Sequence, residues 1–221
     1  MNETNAAEET KDIGRGLSYL IPKRILDIIG GIVGCILLIP ITFFVKIAYL
    51  LTGDFGPIFF KQVRIGKDGK LIKIYKFRSM IMNADEVLEK MLKKDDDLAR
   101  EYKRYKKFSN DPRITKVGKW IRNTSIDEFP QFINVLKGEM SLVGPRPYLP
   151  REKEDMGEYY NTIIKCKPGI TGYWQVNGRS GTDFVKRLVL DEYYYQVRCF
   201  AMDTKILLKT ILKVFKKEGA K

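Results

Sequence analysis

One long apolar run dominates the pattern of hydrophobic and polar positions. Residues Ile28 to Val45 are 18 consecutive residues without a charge, which is the threshold length for a membrane-spanning helix. Pro40 interrupts the run, and a proline inside a helix removes a backbone hydrogen bond and clashes with the preceding turn. The pattern predicts a helix over 25–39, only ~22 Å long against a hydrocarbon core of ~30 Å. A shorter apolar helix is predicted over 41–51.

Positive charges on both sides of this segment bear on its topology. Lys23 and Arg24 precede it and Lys46, Lys61 and Arg64 follow it, and positive residues favour the cytoplasmic side of a membrane. A helix that enters, breaks at Pro40 and returns to the same face satisfies both flanks, so residues 20–52 are predicted to be a re-entrant anchor. A kinked spanning helix and a buried core helix of a soluble protein are the alternatives.

The rest of the chain predicts a mixed α+β fold that is mostly helical. Residues 1–19 form a polar N-terminal tail, and residues 53–221 form one domain after the anchor. A hairpin is expected where two strand-like segments flank the turn 66–69. Charged helical segments follow at 84–107, and further helices are expected at 114–122 and 184–195. The basic amphipathic stretch 203–217 fits either an interfacial membrane helix or an ordinary surface helix.

Composition points to an anionic partner. The chain has 221 residues, 40 Lys and Arg against 27 Asp and Glu, a formal charge of +13 and no histidine. Nucleic acid, a membrane surface and phosphorylated substrates would all fit that charge. Nucleic acid is disfavoured because the basic residues are dispersed and no nucleic-acid-binding motif is found. Transition-metal sites are disfavoured too, whereas Mg²⁺ with oxygen ligands remains open.

The strongest candidate for chemistry is the adjacent carboxylate pair Asp127-Glu128. Ser125 to Glu128 matches the capping-box pattern, although Pro130 can shift the helix start by two or three residues. At a helix N-terminus a carboxylate stays ionised, which suits a nucleophile or a metal ligand. Neighbouring helical residues point about 100° apart, so the two groups are expected to have different tasks. The alternative is that Glu128 only caps the helix and Asp127 is solvated.

Four cations are candidates for holding phosphate. Arg146 lies between Pro145 and Pro147, which stiffen its backbone, and its planar fork fits phosphate bidentately. The alternative for this motif is a rigid surface turn. The other three candidates are Lys76, Arg122 and Arg179.

Several motifs, in this order, resemble the bacterial sugar transferases, the monotopic polyprenyl-phosphate phosphoglycosyl transferases. The resemblance runs from about residue 20 to the C-terminus. It rests on Lys23-Arg-Ile-Leu-Asp27, Lys76-Phe-Arg-Ser-Met80, Thr124-Ser-Ile-Asp-Glu-Phe-Pro-Gln131, Asn134 through Gly144-Pro-Arg-Pro147, and Lys167-Pro-Gly-Ile-Thr-Gly172 through Gln175-Val-Asn-Gly-Arg179.

The resemblance implies an enzyme that moves a phosphosugar from a UDP-sugar to undecaprenyl phosphate and releases UMP. The reaction would be ping-pong, with Asp127 as the nucleophile that forms a phosphosugar–aspartyl intermediate. Glu128, with Asp127 beside it, would hold Mg²⁺. The phosphate site would be lined by Lys76, Arg122, Arg146 and Arg179, with Gln175 and Asp191 nearby and Pro145 and Pro147 flanking Arg146.

The resemblance also implies a place in the cell. The catalytic domain, 53–221, would lie on the cytoplasmic face of the bacterial inner membrane, at the first membrane step of a surface glycan. The length of the charged stretch 84–107 favours galactose or glucose phosphate. Larger relatives carry N-terminal membrane helices and an extra domain, so the chain resembles the minimal catalytic form. A homodimer is one of the assemblies left open, and a non-catalytic basic membrane scaffold is the competing function.

Overall fold

The computed structural model describes residues 16–178 and 182–216. The predicted tail 1–19 therefore lies mostly outside the described residues. The longer elements, in chain order, are α1 Leu17–Leu51, β1 Phe59–Ile65, β2 Leu71–Phe77, α2 Ala84–Lys94, α3 Asp96–Tyr105, α4 Lys116–Asn123, a 3-10 segment Ile126–Gln131, α5 Phe132–Lys137, β3 Ser141–Val143, α6 Lys153–Met156, α7 Tyr160–Ile163, β4 Gly169–Thr171, α8 Tyr173–Asn177, α9 Phe184–Val197 and α10 Phe200–Lys216. The mixed, mostly helical class is confirmed.

The apolar run forms the single helix α1. Pro22 and Pro40 both lie inside it, and the helical assignment continues through Pro40, where the sequence predicted an interruption between two helices. A proline costs a helix one hydrogen bond and bends it without ending it where the flanking turns are held. Thr42 after the proline donates its hydroxyl to the Leu38 carbonyl at 2.7 Å. That the anchor returns to its starting face stays a prediction.

Polar side chains in the first turns of α1 bind it to the rest of the chain. Lys23 Nζ lies 2.6 Å from Asp203 Oδ2. Arg24 donates to the Val135 and Leu136 carbonyls at the end of α5, at 2.8 and 2.9 Å. A guanidinium at that place satisfies carbonyls that have no partner within the helix and complements its dipole.

Asp27 makes the most buried of these contacts, with 3% of its surface exposed. Its Oδ1 accepts from the Ser141 hydroxyl at 2.9 Å and from the Leu142 amide at 2.8 Å. Two donors at the start of β3 therefore depend on one carboxylate of α1.

The far end of α1 packs on the same domain. Leu38, Val45 and Tyr49 form an apolar cluster with β2 and α4. The Tyr49 hydroxyl donates to the Arg78 carbonyl, and the Arg78 guanidinium lies over the Tyr49 ring, 4.8 Å from its centroid. Both ends of α1 are thus held by one folded unit, so α1 does not extend away from that unit.

The opposite side of α1 is apolar and exposed. By length and hydropathy α1 is the one helix of the described residues that could cross a membrane, and only 22% of its most apolar 18-residue window is buried. That low burial argues against a soluble core helix and suggests membrane association. The exposed apolar residues run from one end to the other and include Leu17, Ile21, Ile25, Ile29, Ile32, Val33, Ile36, Ile39, Phe43, Phe44 and Leu51.

The predicted hairpin is confirmed. Strands β1 and β2 pair antiparallel, with Phe60 opposite Lys76 and Ile65 opposite Leu71. Asn134 of α5 attaches to this hairpin: its side chain accepts from the Tyr75 amide at 3.1 Å and donates to the Lys73 carbonyl at 2.8 Å. A fully buried amide with both of its polar ends used fixes α5 against β2.

The basic C-terminal helix α10 both packs and exposes apolar residues. Asp203 and Ile206 are buried, and the Thr210 hydroxyl lies 2.7 Å from that of Thr171 in β4. Exposed apolar side chains on the same helix include Leu208 and Leu212. The two alternatives for this segment are therefore not exclusive, because a packed helix still offers an apolar surface.

Replacing Asp27 by alanine should destabilise the chain. The two donors at the start of β3 would lose their acceptor inside the fold, at a cost of about 3 kcal/mol. We expect the melting temperature in detergent to fall by roughly 5–10 °C, with a smaller fall for Asp27→Asn. The exposed Asp96→Ala is the matched control; equal shifts for Asp27→Ala and Asp96→Ala would refute the role assigned to Asp27.

The two ends of α1 should lie on the same side of the membrane. Single cysteines at Ser18 and Lys70, in a variant whose native cysteines are replaced by alanine, would be labelled with an impermeant maleimide. We expect both to react in inside-out membrane vesicles and neither in right-side-out vesicles. Labelling from opposite sides would mean that α1 spans the bilayer.

Candidate functional site

The carboxylate pair lies on the 3-10 segment Ile126–Gln131, between α4 and α5. The predicted capping box is wrong: Ser125 makes no side-chain cap and has a left-handed backbone, with φ of 56°. Its amide instead bonds to the Arg122 carbonyl at 3.0 Å. This tight turn holds the pair under β2, and the buried Pro130 and Gln131 fix the end of the segment.

Glu128 on the 3-10 segment forms an ion pair with Lys76 on β2. Lys76 Nζ lies 3.0 Å from Glu128 Oε1, and the two side chains are 22% and 34% exposed. Partial burial would raise the pKa of Glu128, but the charge and hydrogen bond of Lys76, together with Arg146 and Arg64, lower it below its usual value. Glu128 is therefore an ionised group held in place by a cation.

Asp127 has a different environment from its neighbour. Burial raises its pKa to about 6, against the opposing charge of Lys76, and the adjacent Glu128 carboxylate raises it further. The Arg122 charge opposes this rise. At neutral pH such a carboxylate is mostly ionised but poorly solvated, which suits a nucleophile. The expected difference between the two carboxylates is thus present in their surroundings.

Arg122 reaches the pair from the end of α4. Its Nε donates to the Ser79 hydroxyl at 2.8 Å, which leaves the terminal nitrogens of the guanidinium free of hydrogen bonds within the described part of the chain. Lys76 and Arg122 are the two cations whose charges lower the pKa of Asp127.

The segment Pro145-Arg146-Pro147 is held from three sides. Asp191 Oδ2 accepts from the Arg146 amide at 3.0 Å and from the Tyr148 hydroxyl at 2.8 Å. Arg64 donates to the Pro147 carbonyl at 2.8 Å. Gly144 before it lies against β4 so closely that a Cβ would be 2.4 Å from the Lys167 carbonyl oxygen. The segment is a half-buried strap held by three other parts of the chain, which disfavours the alternative of a plain surface turn.

The Arg146 guanidinium itself makes no hydrogen bond or ion pair with any other described residue. Its charge nevertheless helps to lower the pKa of Glu128, so it lies close enough to act on the carboxylate pair. A rigid backbone with an uncommitted fork is the arrangement that binds phosphate bidentately at little entropic cost.

Asp191 is fully buried beneath this strap. Burial raises its pKa to about 7, and the hydrogen bonds from Arg146 and Tyr148 act in the opposite direction. Its second oxygen, Oδ1, is buried without a hydrogen-bond partner. Asp191 therefore positions Arg146 through the backbone and does not join the carboxylate pair.

Two other predicted residues are less connected to the pair. Gln175 lies on α8 and donates to the Ile170 carbonyl at 3.0 Å, and no hydrogen bond within 16–178 or 182–216 joins it to Asp127 or Glu128. Arg179 lies outside the described residues.

Sequence reasoning missed Arg64 and Tyr148. Arg64 is 7% exposed and lies on β1, where it was counted only as a flanking positive charge. Tyr148 is 2% exposed and follows the strap directly. No spacing rule distinguishes either residue, because their roles depend on which element the strap meets in three dimensions.

Comparison with known proteins adds an independent observation. The family model for bacterial sugar transferases matches residues 18–217. This chain belongs to the bacterial sugar transferase family. Its members include an undecaprenyl-phosphate galactose phosphotransferase of Salmonella typhimurium, 43% identical over 198 residues, which are 90% of this chain and 41% of that relative.

Two further bacterial sugar transferases show the range of the similarity. A UDP-glucose:undecaprenyl-phosphate glucose-1-phosphate transferase of Escherichia coli is 40% identical over 214 residues, 93% of this chain and 42% of the relative. The exopolysaccharide production protein ExoY of Rhizobium meliloti is 36% identical over 198 residues, 90% of this chain and 87% of the relative. The chain thus spans less than half of the first two relatives and most of the third.

The donor set of this sugar transferase can be tested against the expected Mg²⁺. No three His, Cys, Asp or Glu side chains among the described residues form a metal-binding group. Asp127 and Glu128 offer hard carboxylate oxygens, one of which is engaged by Lys76. Mg²⁺ is commonly held by one or two carboxylates together with substrate phosphates and water, so the pair fits such an ion.

Asp191 should make the stability of the chain pH-dependent. Its folded-state pKa of about 7 lies above the ordinary value of 3.8, so the folded chain keeps a proton that the unfolded chain releases. This contribution is fully present below about pH 4 and is lost as the pH rises through 7, by about 1 kcal/mol per pH unit at most.

Asp191→Asn tests this directly, because an amide cannot ionise. The melting temperature of the wild type, relative to Asp191→Asn, should fall between pH 5 and pH 8. A difference that stays constant over that range would show that Asp191 does not titrate with a raised pKa.

Proposed function

We propose that this chain transfers a phosphosugar from a UDP-sugar to undecaprenyl phosphate and releases UMP. The observation that carries the proposal is that two adjacent carboxylates have different surroundings. Glu128 forms an ion pair with Lys76, whereas Asp127 is poorly solvated and lies beside Arg122. The uncommitted guanidinium of Arg146 lies close enough to lower the pKa of Glu128. The names of the Salmonella and Escherichia coli relatives give the chemistry that such a site would serve.

In the first step a carboxylate oxygen of Asp127 forms a bond to the β-phosphorus of the nucleotide sugar. The bond from that phosphorus to the oxygen that bridges the two phosphates breaks, and its electron pair leaves with UMP. The product is an acyl phosphate on Asp127 that carries the sugar. Covalent catalysis of this kind replaces one difficult transfer with two easier ones.

In the second step a phosphate oxygen of undecaprenyl phosphate attacks the same phosphorus. The bond to the Asp127 oxygen breaks, which restores the carboxylate and yields the lipid-linked diphosphate sugar. The nucleophile needs no proton transfer in either step, since both attacking groups are already anionic. This is consistent with a chain that has no histidine.

The surrounding cations would offset the charge that collects at the phosphorus. Arg146, positioned by Asp191, and Arg122, positioned by Ser79, each offer a planar fork to phosphate oxygens. Arg179 is proposed as a further member of this set. When bound to Glu128 and Asp127, Mg²⁺ would supply a Lewis acid that neutralises the diphosphate and the leaving group.

The apolar face of α1 supports a membrane location for this reaction. An acceptor with a long isoprenoid chain lies in the lipid, and α1 passes from the β3 region to the α4 region of the domain while it exposes apolar side chains. We place the catalytic domain on the cytoplasmic face of the bacterial inner membrane, where nucleotide sugars are available. Galactose and glucose are the favoured sugars, because both occur in the names of relatives.

Asp127→Asn should abolish UMP release from a UDP-sugar and undecaprenyl phosphate. An amide is a far weaker nucleophile, and loss of the covalent route should lower the rate by at least about a thousandfold. The assay would use full-length protein in detergent, with UDP-galactose and UDP-glucose as donors. The exposed Asp96→Asn is the matched control and should retain wild-type activity.

Normal turnover by Asp127→Asn would refute the role of Asp127 as the nucleophile. An absence of UMP release by the wild type with every nucleotide sugar tested would instead favour the competing function, a non-catalytic membrane scaffold. The melting temperature of Asp127→Asn, compared with that of the wild type, separates loss of chemistry from loss of fold.

A further inference from the structure

A cavity lies at the N-terminal end of α1, away from the carboxylate pair. It has a volume of about 410 Å³ and lies between the first turns of α1, the turn between β1 and β2, the segment 165–167 before β4, and the end of α9. Neither carboxylate of the pair lines it, nor do Lys76, Arg122 or Arg146. The size is that of an ordinary small-molecule site, and nothing in the proposed transfer reaction uses it.

The walls of this cavity are strongly basic. Only two acids line it, and one of them, Asp27, already accepts two hydrogen bonds from β3. The other acid is the exposed Asp68. The six cations that line it are Lys23, Arg24, Lys67, Lys165, Lys167 and Arg198.

Most of these cations have no acidic partner. Lys23 is neutralised by Asp203, and Arg24 is directed at the carbonyl end of α5. By contrast, Lys67, Lys165 and Lys167 form no ion pair with a carboxylate anywhere in 16–178 or 182–216. Three ammonium groups without an ion pair around one cavity repel one another, and an anion between them would relieve that repulsion.

Two of the cations that line the cavity lie near each other. Both approach Gly138 at the end of α5, where a Cβ would lie 3.6 Å from the Arg24 Nη2 and from the Lys167 Nζ. The Lys167 pKa is lowered, first by burial and then by the charge of Arg24, and the charge of Asp27 opposes this only in part. A cation that is half-buried beside another cation is unfavourable unless a negative group joins them.

The mouth of the cavity borders the apolar face of α1. Leu20 lines the cavity and is 46% exposed, and its neighbours Leu17 and Ile21 are 71% and 54% exposed. A ligand at this place would meet cations in the cavity and hydrocarbon-like side chains outside it. A phosphate group attached to fatty acyl chains has that combination of properties.

We propose that this cavity binds the phosphate of an anionic phospholipid headgroup. Lys67, Lys165 and Lys167 surround the phosphate, Arg24 lies behind it, and the acyl chains lie along the exposed apolar side of α1. Such a lipid would be held at a fixed depth beside the anchor. The site is separate from the phosphosugar transfer and does not depend on it.

Native mass spectrometry of the full-length protein in a nonionic detergent tests this proposal. The protein would be titrated with phosphatidylglycerol or with phosphatidylcholine of the same chain length. We expect one phosphatidylglycerol to be retained per chain and retention of phosphatidylcholine to be much weaker. The triple variant K67Q/K165Q/K167Q should bind phosphatidylglycerol about a hundredfold more weakly, since three lost charges at roughly 1 kcal/mol each amount to about two factors of ten.

Two further variants make the outcome specific. K67R/K165R/K167R keeps the charges and should retain the lipid. K90Q/K93Q/K94Q removes three exposed charges from α2 and should bind as the wild type does. The melting temperatures of all three variants should stay within a few degrees of the wild type, because the substituted side chains are exposed or half-exposed.

Three results would overturn the proposal. One is equal retention of phosphatidylcholine and phosphatidylglycerol by the wild type. Another is an equal loss of phosphatidylglycerol in K67Q/K165Q/K167Q and in K90Q/K93Q/K94Q, which would indicate a general charge effect. The third is displacement of the lipid by an equal concentration of glycerol 3-phosphate, which would identify a site for soluble phosphate compounds.

Discussion

The docking of the first turns of α1 is the constraint on which the rest of the structure depends. Arg24 holds the carboxyl end of α5, and Asp27 holds the start of β3. Helix α5 follows directly from the segment that carries the carboxylate pair, and β3 leads directly into the Pro-Arg-Pro strap. One apolar helix therefore fixes both halves of the candidate site, so α1 is part of the framework of that site and not an attachment to it.

In the candidate site two carboxylates are surrounded by a larger number of cations. Lys76 keeps Glu128 ionised, whereas burial leaves Asp127 with a raised pKa. The proposed substrate, a nucleotide sugar, would bring negative charge to the place that these cations surround. The cavity beside Lys167 also gathers cations that have no ion-pair partner. Its neighbouring surface is apolar, so the anion that we expect there belongs to a lipid.

The parts of the fold that one local sequence pattern determines could be predicted from the sequence. The turn at 66–69 gave the hairpin, and the two prolines around Arg146 gave a stiff strap. The Ser125 capping box failed because Pro130 and a left-handed Ser125 produce a 3-10 turn instead. Arg64, Tyr148 and Asn134 were missed because long-range packing defines their roles. The low helix propensity of Pro40 predicted an interruption of the apolar helix, yet α1 continues through this residue, with packing contacts on both sides of it.

The central claim is that phosphosugar is carried on Asp127. The most direct measurement mixes the full-length protein with a UDP-sugar labelled at the β-phosphorus, in the absence of undecaprenyl phosphate, and maps the labelled peptide by mass spectrometry. We expect one equivalent of label on the peptide that contains Asp127, formed together with one equivalent of UMP, and discharged when undecaprenyl phosphate is added. UMP release without protein-bound label, or label on another residue, would contradict it.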